Sequence, residues 1–223
     1  MNALSIHSYF FKDTNQITVF TKTGCTFMRN IRNQFSNDIK RIPFFKLEEK
    51  YSEHFGSRER NHYISVRDPF SRFVSGFVTI YNDVKKENSY YKKKLYYPQY
   101  KFINESNDLV DAFLGCHKIV NGDWSFDQHT INVLNLLYIN QMINDKNLMF
   151  IPHTNIGKLF ENHGMVPDLD NYVSGPNFTN KSSQHSKNTL KEFIVSDKTL
   201  NTEILDYLNE DIEIYQNFNI TEI

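Results

Sequence analysis

The sequence holds only two cysteines, Cys25 and Cys116, so no disulfide framework can organise it. Six prolines and eight glycines in 223 residues exclude collagen-like or long low-complexity stretches. No apolar run approaches the roughly 20 residues that a membrane-spanning helix needs. Met1 to Phe11 lacks the charged head and unbroken apolar stretch of an export signal. The expectation is therefore a reduced, cytoplasmic protein without membrane insertion. The triplets at Asn104, Asn177, Asn180 and Asn219 then reflect heavy Asn usage, not glycosylation. Neither sign of charge dominates, with 25 Lys and Arg against 26 Asp and Glu. Without a global positive field a nucleic-acid partner is not expected, and any anion site must be local.

Large aromatic side chains are abundant. Nineteen Phe and thirteen Tyr supply much buried area per residue. The length suits one α/β domain spanning residues 1–223.

Gln16–Lys22 reads as a strand running into Thr23-Gly24-Cys25-Thr26 and then a helix over Phe27 to Phe35. A second strand is expected near Ile42–Leu47, and a third, His62–Val66, ends in Arg67-Asp68-Pro69. Asp68 and Pro69 suit the cap and first turn of a helix whose apolar positions run from Phe70 to Val84 at three- and four-residue spacings. Lys85 to Tyr100 is charged and tyrosine-rich, and reads as an exposed excursion. Ser106 is the expected cap of a helix with the stripe Leu109, Phe113, Cys116 and Val120. Leu148–Pro152 reads as a strand, followed by a helix capped by Thr154 and ending near Gly164. Val166 to Lys187 reads as loop, and a last helix carries Leu200, Ile204, Leu208, Ile212 and Tyr215. Strands alternating with helices imply a mostly parallel sheet covered on both faces.

Two segments are directed at phosphate. Between a strand and a helix, Lys22-Thr23-Gly24-Cys25-Thr26 points backbone N–H groups and a helix dipole at one spot. Gly24 permits close approach, and Lys22, Thr23 and Thr26 add donors. The alternative is an ordinary strand-to-helix turn with a surface lysine. Lys22 precedes the glycine, so this is not the Gly-Lys-Ser/Thr order of a nucleotide triphosphatase or kinase. The second segment is Arg67-Asp68-Pro69-Phe70-Ser71-Arg72-Phe73-Val74-Ser75-Gly76. Arg67 closes a strand, where open α/β sheets bind ligands, and Ser75 falls opposite the phenylalanine stripe. Arg67 offers a rigid fork and Ser75 a hydroxyl to an anion, unless Arg67 and Asp68 merely pair at a helix start.

Together the two segments resemble the sulfotransferase family, whose donor is 3′-phosphoadenosine 5′-phosphosulfate (PAPS). The carbohydrate branch, with its Arg-Asp/Glu-Pro-Phe-x-Arg-x-x-Ser segment, is the most similar. Asp127-Gln128-His129 resembles that branch's acidic-x-His element, and Asn180-Lys181-Ser182 its nucleotide-closing loop. Ile156–Asn162 resembles its Ile-Gly-x-x-Glu-x-Leu segment, with the acid one place late and no Leu after it. The resemblance spans Gln16 to about Phe218. It implies a P-loop NTPase-like three-layer sandwich with a central, mostly parallel sheet. It further implies that Lys22, Thr23, Gly24, Cys25, Thr26 and Phe27 hold the 5′-phosphosulfate. Arg67 and Ser75 would hold the 3′-phosphate, and Lys181 and Ser182 would touch the nucleotide. The familiar carbohydrate enzymes are anchored in the Golgi, and a chain without an anchor fits a bacterial or viral-host cytosol.

The implied reaction moves a sulfuryl group from PAPS to a hydroxyl of a carbohydrate or small-metabolite acceptor. Such a transfer needs alignment and charge stabilisation more than covalent steps, and no metal is expected. A general base is needed, and three candidates stand open. Glu48 and His54 follow the second expected strand, where such enzymes place a catalytic Glu or His, and are the first choice. His129 is the other. The bland reading of each is a solvated carboxylate or a capping histidine. Lys92-Lys93-Lys94 reads as a solvated run or a contact for an anionic glycan or nucleic acid, and Trp124 as a sugar-stacking face or a core or hinge residue. A kinase, or a nucleotide-binding module without turnover, are the rival functions.

Overall fold

The computed structural model describes residues 7–12, 15–19, 25–43, 61–86, 89–127, 129–132, 148–168 and 181–217. In chain order the elements are β1 (His7–Phe11), β2 (Asn15–Val19), α1 (Cys25–Gln34), β3 (Ile39–Pro43) and β4 (Asn61–Val66). There follow α2 (Pro69–Lys85), α3 (Ser89–Lys92), α4 (Pro98–Glu105), α5 (Leu109–Ile119), β5 (Leu148–Pro152) and α6 (Ile156–Asn162). The chain then forms α7 (Lys181–Ser196), α8 (Lys198–Tyr207) and α9 (Asn209–Asn217). It divides into two compact units. One comprises Met1–Arg67, Val133–Phe178 and Glu213–Ile223, the other Asp68–Asn132 and Thr179–Ile212.

The first unit is built on a five-stranded sheet of order β3-β1-β2-β4-β5. β1 pairs antiparallel with both β2 and β3, while β2–β4 and β4–β5 are parallel. The architecture is α/β, but the sheet is mixed rather than mostly parallel. The cause is β1, a strand not expected from the sequence, which forms a hairpin with β2 and brings β3 in beside it. On one face Tyr9, Phe11, Ile17, Val19, Tyr63 and Ile151 pack with Met28 and Ile31 of α1 and Ile156, Leu159 and Phe160 of α6. The period-2 alternation of strands sends the other residues to the opposite face. There Ser8, Gln16, Thr18 and His62 are buried and satisfy one another. Ser8 Oγ and Thr18 Oγ1 are 2.9 Å apart, Thr18 Oγ1 and His62 Nε2 2.9 Å, and Gln16 Nε2 and His62 Nε2 3.2 Å. Buried polar groups need such partners, so this network fixes the strand register.

The second unit is helical. α2 starts as its sequence dictates: Asp68 Oδ1 accepts from the Ser71 N–H at 2.7 Å and Pro69 opens the first turn. Its Phe73, Val74, Phe77, Ile80 and Val84 pack with Phe113 of α5, Leu190 and Ile194 of α7, and Leu200 and Ile204 of α8.

Several expectations are corrected in detail. Lys85 to Tyr100 is not simply an exposed excursion: it contributes α3 and the start of α4, and Tyr91 and Tyr100 are each only 2% exposed. Asp108, not Ser106, caps α5, accepting from the Val110 and Asp111 N–H groups at 2.8 and 2.9 Å. Ser106 instead closes α4, its hydroxyl donating to the Phe102 carbonyl. Asn155 rather than Thr154 precedes α6, which ends as expected: Gly164 takes φ +73° and its N–H reaches the Glu161 carbonyl. α7 begins at Lys181, inside the expected loop. Its first two turns are polar, and Leu190 and Ile194 anchor it through its later ones. The last expected helix is two, α8 and α9, joined at Leu208, with the stripe Leu200, Ile204 and Leu208 buried throughout. Among the described residues no helix is long and apolar enough to cross a membrane.

Candidate functional site

The parallel strands β2 and β4 precede the two phosphate-directed segments. β2 and β4 are hydrogen-bonded neighbours, with Thr18 opposite Ile64, so Val19 and Val66 end on the same side of the sheet. Adjacent strands lie about 4.8 Å apart, which sets the scale of separation of the two exits. From β2 the chain reaches the N-terminus of α1 at Cys25 after a short connection. From β4 it passes to Arg67. Ligands of open α/β sheets bind at this carboxyl edge, most readily beside a helix N-terminus.

Of the expected donor residues, Lys22, Thr23 and Gly24 lie outside the described residues, as do the candidate bases Glu48 and His54. Cys25 and Thr26 form the first turn of α1, and half-buried Phe27 packs against the sheet core. Lys181 and Ser182 form the first turn of α7. Ser75 is on α2 and 4% exposed, so it is not a solvent-facing residue; its carbonyl accepts from the Thr79 hydroxyl at 2.9 Å.

A histidine that sequence reasoning missed joins the Arg67 corner. β5 runs parallel to β4 with Pro152 opposite Val66, which puts His153 next to Arg67 at the carboxyl edge. Burial, and then the Arg67 charge, push the His153 imidazole down to about 4. At neutral pH this corner therefore carries the arginine charge beside an uncharged imidazole. Its only sequence signal was position, one residue past a strand end.

The second unit holds the other expected element. Asp127 and His129 form a dyad, with His129 Nδ1 2.5 Å from Asp127 Oδ1 and the His129 N–H 3.2 Å from the same oxygen. The Tyr100 hydroxyl donates to Asp127 Oδ2, and the Tyr91 hydroxyl lies 3.3 Å from His129 Nδ1. Thr130 closes the turn, its Oγ1 accepting from the Asp127 N–H at 3.2 Å. Burial on its own would raise the Asp127 carboxyl. The hydrogen bond and charge of His129, with the Tyr100 hydroxyl, outweigh it and hold the group below the usual carboxylate range. An ionised Asp127 carboxylate only accepts, so Nδ1 is the donor in this pair and the ring is oriented by it. The two buried tyrosines of the expected excursion supply this support.

Other expected features resolve more simply. Trp124 is 4% exposed, stacked on His117 with centroids 3.7 Å apart and on Phe113 at 5.2 Å, which is a core placement. An open pocket of about 520 Å³ beside it is lined by Asp123, Glu203 and Asp206, a charge sign that disfavours an anionic donor. Cys116, on α5, is buried with its Sγ against the Gln99 carbonyl of α4, and burial pushes its thiol up to about 12, leaving it unreactive. Lys92 and Lys93 are exposed, with Tyr96 beside them 73% exposed. Among the described residues no group of three or more His, Cys, Asp or Glu side chains could hold a metal ion. No protein-family model matches the chain, and neither a curated protein nor a solved structure is significantly similar to it.

Proposed function

We propose that the chain is a P-loop-like sulfotransferase that moves a sulfuryl group from PAPS to a hydroxyl of a carbohydrate or small-metabolite acceptor. The observation that supports the reading is the parallel β2–β4 pair, whose ends, Val19 before the first phosphate-directed segment and Val66 before Arg67, lie at one edge of the sheet. A donor with phosphate at two ends of one adenosine calls for two such anion-binding segments. Lys22 and the backbone at the start of α1 take the 5′-phosphosulfate, and Arg67 and Ser75 the 3′-phosphate. Lys181 and Ser182 add contacts to the nucleotide.

In the reaction the acceptor oxygen attacks sulfur and the bond from sulfur to the bridging phosphate oxygen breaks. Charge builds on the leaving phosphate, where Lys22 and N–H donors lower its energy. The acceptor hydroxyl must give up its proton to a general base, and a histidine with a carboxylate to stabilise its imidazolium suits that role. Of the candidate bases Glu48, His54 and His129 we take His129, because Asp127 gives it the orienting partner that an activated histidine requires.

The test is transfer of labelled sulfur from PAPS to a panel of saccharides and small hydroxylated metabolites. Labelled product that depends on Lys22 and His129 supports the reading. Binding of the nucleotide without product on any acceptor class favours a nucleotide-binding module, and turnover of ATP with Mg²⁺ favours a kinase.

A further inference from the structure

Neither the donor contacts nor the proton transfer uses Arg72, although it is the largest fully buried side chain among the described residues, at 1% exposed. It sits on α2, four residues before Gly76, so both face the same neighbour. That neighbour is the main chain of His129. Arg72 Nη1 donates to the His129 carbonyl at 3.3 Å, and Nη2 donates to the Ile131 carbonyl. The guanidinium thus bridges two carbonyls on either side of Thr130. Its charge is answered by Asp211, fully buried, whose Oδ2 is 4.0 Å from Nη2. At Gly76 the same carbonyl comes so close that a Cβ would stand 2.0 Å from its oxygen. Helix α2 therefore grips the base-bearing turn twice, once by a missing side chain and once by a charged fork.

A buried ion pair is a poor way to gain stability, because apolar residues of similar volume usually do as well. What a planar guanidinium offers over them is fixed direction, with two donors held at a set angle. We infer that Arg72 is a positioning residue for His129: by pinning the carbonyls of residues 129 and 131 it holds the turn in which Nδ1 meets Asp127. The inference rests on the reading of His129 as base, but it also makes a claim about the dyad that needs no turnover.

Two variants test it. R72K keeps a cation beside Asp211, so the fold is retained, but an ammonium cannot span both carbonyls as a planar fork. The double variant R72M/D211L removes both charges and leaves neither one buried alone. The first readout is the proton NMR signal of the short His129 Nδ1–H to Asp127 bond, assigned by its disappearance in H129Q. The second is kcat against KM for PAPS and acceptor. The expected result is a melting point near that of the parent, with the downfield signal broadened or lost in both variants. kcat should fall up to about 100-fold, the cost of a misplaced group, while both KM values stay within about twofold. An intact signal in folded R72K, with parental kcat, would overturn the inference. If the parent shows no sulfuryl transfer at all, the functional reading fails, and the NMR signal still decides whether Arg72 orients His129.

Discussion

The carbonyl oxygen of His129 lies against Gly76 so closely that a Cβ there would be 2.0 Å away, well inside any contact real atoms make. This joins two segments separated by about fifty residues of sequence, the one that opens α2 and the one that bears the dyad. Gly76→Ala should therefore destabilise the protein although alanine is the better helix former. The main chain of residue 129 must shift, a strain of about 1–3 kcal/mol against about 1 kcal/mol of helix propensity gained. A urea midpoint equal to or above the parent's would show that the turn is not held there.

Asp127→Asn keeps the shape of the dyad but offers an amide where a carboxylate stabilised the imidazolium. Transfer should fall about 10²–10⁴-fold with little change in donor affinity. Tyr100→Phe, which removes one donor to Asp127 Oδ2, should have a smaller effect in the same direction. Rates unchanged in Asp127→Asn would exclude the dyad from proton transfer.

Much of the fold around these residues is legible in the sequence, for identifiable reasons. Asp68-Pro69 and the phenylalanine spacing gave α2 to within a residue, because cap and periodicity agree there. β4 and β5 were legible as short apolar runs. β1 was not: His7-Ser8-Tyr9-Phe10-Phe11 alternates weakly, since its second face is a polar network that hides the hydrophobic period. α7 was missed because Lys181–Thr189 shows no apolar stripe, and i to i+4 pairs such as Gln184 with Asn188 take its place. Asp127-x-His129 was visible as a motif, but Tyr91 and Tyr100 were not, because polar flanks made their segment read as surface. The seat on Arg72 and Gly76 depends on tertiary contact alone.

Stability should fall in mild acid through two histidines of the sheet unit. Burial first, then Arg41 and Arg29, push His7 down to about 4, and burial with Arg67 does the same to His153. In the unfolded chain each has the ordinary value near 6.5. Below that pH the unfolded state binds protons that the folded state refuses, so stability is full above about pH 6.5 and declines toward pH 4. Urea midpoints measured from pH 7 to pH 4 should drop, and the double variant His7→Gln, His153→Gln should drop less steeply. Identical pH profiles would show that these two imidazoles are protonated in the folded protein.

Lys22→Ala should nearly abolish transfer while leaving nucleotide binding measurable, because its charge acts where the leaving phosphate develops its own. Wild-type rates in that variant would remove Lys22 from the reaction.

The most direct measurement is a calorimetric titration with 3′-phosphoadenosine 5′-phosphate, the product that carries both phosphates, on the parent and on Arg67→Ala. The account predicts one molecule bound per chain, at least about tenfold weaker in the variant, the loss of a charged hydrogen bond, and not displaced by ATP with Mg²⁺. Absence of binding, or equal affinity in the two proteins, would contradict the assignment of the β2 and β4 ends to one doubly phosphorylated nucleotide.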